Sequence, residues 1–121
     1  MEIAITSFEH WQIVALSGRF VSKAIDQVKK VFDTFEKADY VHVALDLSQT
    51  THLDSRAISC ILQFYKRISV KNGKIVLFGA NNDIWSIINI VGLCSTFPFF
   101  KNKDDFEQNI GISAKHSSTQ H

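Results

Sequence analysis

At 121 residues the chain has about the length of one domain, and 45% hydrophobic against 21% charged side chains is an ordinary globular balance that excludes wholesale disorder. Thirteen basic against twelve acidic groups leave a formal charge of +1, so there is no bulk attraction toward nucleic acid or an anionic membrane. Cys60 and Cys94 are the only cysteines and both sit in apolar stretches; they read as small buried hydrophobes in a reducing cytosol, not as a disulfide framework.

No basic segment followed by a long apolar run opens the chain, so no signal peptide is expected. Ile3 and Ile5, then Ile13, Val14 and Leu16, form two strand-like runs parted by the polar Glu9-His10 pair, which predicts an N-terminal hairpin. Gly18 is expected to end the second run in a turn. From Val21 the apolar period becomes helical: Ala24, Ile25, Val28, Val31, Phe32 and Phe35 share one face, with Asp26, Lys29, Lys30 and Asp33 opposite. Tyr40 to Leu47 predicts a central strand, β-branched and apolar.

The polar segment Ser48 to His52 leads to a second helix, which Asp54 or Ser55 can cap through a side-chain oxygen. Its expected stripe is Ile58, Ile61, Leu62, Tyr65 and Ile68, with Lys66, Arg67 and Lys71 suiting its C-terminal dipole and Asn72-Gly73 stopping it. Lys74 to Phe78 is a short apolar strand ended by Gly79. Asp83 is expected to cap a third helix bearing Ile84, Ile87, Ile88 and Val91, closed by Gly92. Phe97 to Phe100 predicts a last short strand, and Asp104 to Asn109 a final helical turn or two.

Ile84 to Phe100 carries no formal charge, yet Ser86, Asn89, Gly92, Ser95 and Pro98 interrupt it and it falls short of the ~20 apolar residues of a spanning helix. A buried helix and a loop are expected there, with no direct membrane insertion. Alternation of strands and helices after the hairpin predicts one α/β unit with a mixed sheet. Its expected limits are residues 1–112, followed by a polar tail, 113–121.

No nucleotide-binding glycine loop, Cys-x-x-Cys or zinc-protease motif is present, and the histidines at 10, 42, 52, 116 and 121 lack metal-ligand spacing, so neither cofactor nor metal is expected. His42 reads as a core or sheet-face residue. The chemistry concentrates between Asp46 and Ser55, a strand end, a loop and a helix start, the rim where α/β sheets bind ligands and partners. Capping alone explains Asp54 and Ser55. Ser55, His52 and Asp46 have the residue types of a nucleophile, base and orienter, but no nucleophile elbow surrounds Ser55, and no catalytic residue is assigned.

Asp46-Leu47-Ser48, then Leu53-Asp54-Ser55 and the apolar helix to Lys66, resembles the signature of bacterial STAS domains of the anti-sigma factor antagonist type. Leu16 to Phe20, Lys74 to Gly79, Val91-Gly92-Leu93 and Phe97-Pro98 extend the resemblance over roughly residues 3 to 110. It implies a single-layer sheet, here of four to five strands, with helices packed mainly on one face. It also implies a cytoplasmic, non-enzymatic protein that binds an anti-sigma factor acting as a serine kinase with its own ATP. Ser55 would be the phosphorylated residue, and a phosphatase would reset it. The partner surface expected is Asp46, Ser48, Asp54, Ser55, Arg56 and Ser59, with Trp85 either presented to the partner or folded back onto Phe99 or Phe100. Many antagonists follow the serine with a small residue and glycine, where this chain has Arg56 and Ala57. That departure keeps open a non-phosphorylated STAS scaffold, stressosome-like or accessory to a lipid transporter.

Overall fold

The computed structural model describes residues 1–110, apart from the side chains of Leu93 and Cys94. The expected tail, the expected domain limit at 112 and the burial of Cys94 fall outside what is described. Elements follow in the order β1 (Glu2–Phe8), β2 (Trp11–Phe20), α1 (Ser22–Lys37), β3 (His42–Asp46), β4 (Thr50–Leu53), α2 (Ser55–Ser69), β5 (Lys74–Phe78), α3 (Asn82–Ile90), α4 (Leu93–Thr96) and β6 (Phe99–Phe100). A fifth helix, α5, begins at 103 and reaches the last described residue, 110.

The sheet is mixed, in the order β1-β2-β3-β5-β6, with β4 attached to β2. β1 is antiparallel to β2, joined through Glu9 in the left-handed region at φ 56°; β3, β4, β5 and β6 pair in parallel. Alternation along each strand separates two apolar layers. Val14, Leu16, Val43, Leu45, Ile75 and Leu77 face α1, α2 and α3 in the main core. Trp11, Ile13, Ala44, Val76 and Phe78 face the other way, where Phe106 of α5 covers them. Phe106 stacks on Phe78 at 5.3 Å and meets the edge of Trp11 at 5.6 Å.

The mixed sheet with helices mainly on one face agrees with expectation, but it has six strands. The addition is β4, which lies within the segment expected to be a polar connection. Its Thr-Thr-His-Leu sequence buries only the two ends, so no alternation announces it. Gly18 does not end β2. The strand continues to Phe20, and Gly18, at φ 105°, sits where the register to β4 shifts, a bulge that only glycine enters without strain. β3 begins at His42, leaving Tyr40 exposed before it. The third helix is capped by Asn81, whose side chain accepts the Ile84 N–H at 2.9 Å; Asp83, the expected cap, lies in the first turn. Ile84 and Ile88 are buried there, whereas Ile90 and Val91 point outward.

α1 and α2 pack side by side over the main core. Phe32 and Phe64, both fully buried, stack face to face at 4.1 Å between them. Beyond that stack, Arg67 of α2 reaches Glu36 at 2.8 Å and Asp33 at 3.1 Å on α1, and Lys71 reaches Asp39 at 2.7 Å. Since late residues of one helix meet late residues of the other, the two run parallel and their N-termini lie at the same end.

Candidate functional site

Asp46 ends β3, and its carboxylate accepts the Ser48 N–H at 2.9 Å, tightening the chain as it leaves the sheet. Buried Leu47 donates its N–H to the Phe78 carbonyl at 2.9 Å, tying that exit to β5. Gly79, at φ 82°, lies so close that a Cβ there would stand 3.0 Å from Ser48 Cβ. Thr50 is wholly buried, and its hydroxyl donates to the Leu16 carbonyl at 2.6 Å. Asn81 donates from its side-chain amide to the Thr50 carbonyl at 3.4 Å, joining the start of α3 to the same rim. The loop between β3 and α2 is therefore braced from three strands and a helix.

That brace delivers Asp54 in extended conformation as the α2 N-cap, its side chain accepting the Ala57 N–H at 2.9 Å. Of the two capping candidates, Asp54 takes the role, and Ser55 is the first helical residue. Ser55 is exposed, and its hydroxyl makes no hydrogen bond among the described residues. Ala57, two residues on, is fully buried, which holds the first turn down on the core while Ser55, Arg56 and Ser59 face outward.

Between the N-terminal halves of α1 and α2 the packing opens into a cleft of about 450 Å³. Ser55, Arg56 and Ser59 line it from α2, and Ser22, Asp26 and Lys29 from α1, over a floor that includes Cys60. Burial pushes the Cys60 thiol above its ordinary value, as suits an unreactive core cysteine. Asp46 and Ser48 stand on the strand rim outside this cleft. Trp85 is half-buried in α3 with its ring on Phe99, 4.5 Å between centroids, the second of its two expected placements.

Ser55, His52 and Asp46 are not joined by hydrogen bonds. His52 meets the Thr51 hydroxyl through Nδ1 at 3.0 Å, and Asp46 is engaged by Ser48. His42 sits half-buried on β3, with its ring against the edges of Trp11 at 5.2 Å and His10 at 5.1 Å. Burial, then the nearby His10 and Lys74, lowers its pKa. Among the described residues no group of three or more His, Cys, Asp or Glu is placed to hold a metal ion. Sequence reasoning missed Asn81 and the α1 wall of the cleft. Asn81-Asn82-Asp83 offered three capping residues in a row, but Ser22, Asp26 and Lys29 carry no local signal that they would face Ser55.

No helix among the described residues is long and apolar enough to cross a membrane. The anti-sigma F factor antagonist of Paenibacillus polymyxa is 27% identical over 92 residues, 75% of this chain and 79% of that one. A solved anti-sigma factor antagonist from Mycobacterium paratuberculosis superposes with a TM-score of 0.77 at 17% identity, covering 86% and 88% of the two chains. The Bacillus cell fate determinant SpoIIAA in its phosphorylated form gives a TM-score of 0.70 at 11% identity, covering 88% and 98%. Residues 2–106 match the STAS domain family itself. With that match spanning most of its length, this chain belongs to the STAS domain family.

Proposed function

We propose that the chain is a cytoplasmic anti-sigma factor antagonist that binds its partner in the unmodified state and is released by phosphorylation of Ser55. The observation that carries this reading is an exposed, uncommitted hydroxyl on the first residue of α2, immediately after the capping Asp54. The partner would be an anti-sigma factor with serine kinase activity, docking over Asp46, Ser48, Asp54, Ser55, Arg56 and Ser59, with Trp85 at the margin. The partner brings ATP: Ser55 Oγ bonds to the γ-phosphorus as the bond to ADP breaks, and the hydroxyl proton passes to a base on the kinase. A phosphatase then returns Ser55 to the free hydroxyl. The antagonist itself catalyses nothing; it is substrate and ligand.

A phosphate adds about −1.5 to −2 charges at neutral pH. The first turn of a helix accepts such charge because free N–H groups and the dipole favour anions. A flat protein interface does not, since like-charge contact and desolvation cost several kcal/mol, and roughly 1.4 kcal/mol is already tenfold in affinity. The relatives' names support the general role, and the exposed hydroxyl of Ser55 supports the switch. A pull-down from cell extract with unmodified bait identifies the partner, and titrating it with the Ser55→Ala and Ser55→Asp variants tests the mechanism. Ser55→Ala should bind and Ser55→Asp should lose at least tenfold. Equal binding by the two would remove the switch and favour the scaffold reading, to which Arg56-Ala57 in place of a small residue and glycine already inclines.

A further inference from the structure

We propose that the cleft between α1 and α2 is the seat of the Ser55 phosphate, which Lys29 and Arg56 hold in cis. The inference rests on Ser55 being the phosphorylated residue and adds where the phosphoryl group goes. Three observations meet in the same space. The hydroxyl-bearing residue lines the cleft, so a group attached to it is tethered there. Lys29 from α1 and Arg56 from α2 line it too, and neither makes an ion pair or a side-chain hydrogen bond among the described residues. Elsewhere along the helix pair, Arg67 is committed to Asp33 and Glu36 of α1, and Lys71 to Asp39 just beyond it.

The N-termini of both helices also point at this end, and α1 has no side-chain cap, its N-cap position being Val21. The Ala24 N–H bonds back to the Val21 carbonyl at 2.7 Å, and the Ser22 and Lys23 N–H groups ahead of it add positive potential at the end of α1 where Ser22 lines the cleft. Asp26 is the one opposing charge on the lining. Adjacent residues on a helix do not face one another, so Arg56 would not meet a phosphate on Ser55 through helical spacing. The cleft is what brings the two into common space, with Lys29 across from them. Phosphorylation in this arrangement fills a docking groove and cross-links two helices electrostatically, in addition to placing charge at an interface.

The test uses protein carrying phosphoserine at position 55, installed co-translationally without any kinase, and follows the phosphorus resonance as pH is varied. The phosphate of the otherwise wild-type protein should lose its last proton at a lower pH than that of the Lys29→Gln/Arg56→Gln form, by about half a unit or more, a roughly threefold change in the proton equilibrium. Coincident titrations would overturn the proposal. A second measurement needs no substitution: on phosphorylation, amide resonances of Ser22, Lys23, Ala24 and Lys29 in α1 should shift along with those of α2. Shifts confined to the first turn of α2 would overturn it as well. Because no kinase is involved, failure here is separate from failure of the switch, which Ser55→Ala and Ser55→Asp binding decides.

Discussion

The two ends of the α1–α2 seam have opposite characters. Toward the C-termini it is closed: Phe32 and Phe64 stack at 4.1 Å, and Arg67 and Lys71 bridge to Asp33, Glu36 and Asp39. Toward the N-termini it gapes over a floor that includes Ile25 and Cys60, with Lys29 and Arg56 uncommitted. Both helices are strongly amphipathic and share one core, so the difference lies in the seam itself. Aromatic area and ion pairs are spent where the helices end, leaving the start of α2 free to present Ser55. One helix pair thus supplies rigidity at one end and an accessible surface at the other.

The sharpest way to break this comparison is Phe64→Ala. Phe64 is fully buried and faces Phe32 across the seam; its truncation should lower unfolding free energy by about 3–5 kcal/mol, the range for a large aromatic removed from a packed core. Denaturant melts measure it. Asp54→Ala acts at the open end, where the side chain satisfies a single N–H, that of Ala57. It should cost about 1 kcal/mol, the usual value of an N-cap. A loss at Asp54 matching that at Phe64 would mean the open end carries as much of the fold, and the distinction would fail.

The closed end was the more legible in sequence. Helical spacing named Ile25, Val28, Phe32 and Phe35 on α1 and Ile58, Ile61 and Ile68 on α2, all of which are buried. Phe64, the deepest contact of the seam, was not among the stripe expected for α2. Tyr65, which was, is half-buried beside Phe97 at 5.0 Å. The period locates a face to within one residue but does not say which neighbour the partner helix will meet. Strands are legible where they are apolar, as in Lys74–Phe78, and not where pairing alone makes the strand, as in Thr50–Leu53.

The site divides the same way. Asp54 and Ser55 were visible because capping is local chemistry written in adjacent residues. Ser22, Asp26 and Lys29 were not, because their approach to Ser55 depends on two helices running parallel, and that follows from the strand order. Asn81 shows a third case. Its capping chemistry is legible in kind, but the expectation falls on Asp83, the last of three consecutive residues able to cap, and the hydrogen bond to Thr50 that selects Asn81 crosses 31 residues.

Arg67→Gln should produce a smaller effect than either substitution above. Its side chain and that of Asp33 are 41% and 56% exposed, and ion pairs in such surroundings are worth less than about 1 kcal/mol and fade with salt. A loss that persists undiminished in high salt would show that the closed end depends on the packing of Arg67 over Phe64, 6.0 Å from the ring centre, more than on charge.

Ser55→Asp should move stability least, within about 0.5 kcal/mol of the parent and in the stabilising direction at low ionic strength. The new carboxylate stands at the first residue of α2, where the first turn holds no acidic side chain, and faces a cleft with two uncommitted cations. Nothing buried is displaced, because Ser55 is exposed and its hydroxyl has no partner to lose. Thermal melts of the parent and variant at low and high salt measure the effect, and the difference should shrink as salt screens the cations. A destabilisation as large as that of Asp54→Ala would mean that the start of α2 cannot take negative charge without loosening the fold. The open end would then be a strained part of the core, unsuited to a switch that must alter docking while the domain stays folded.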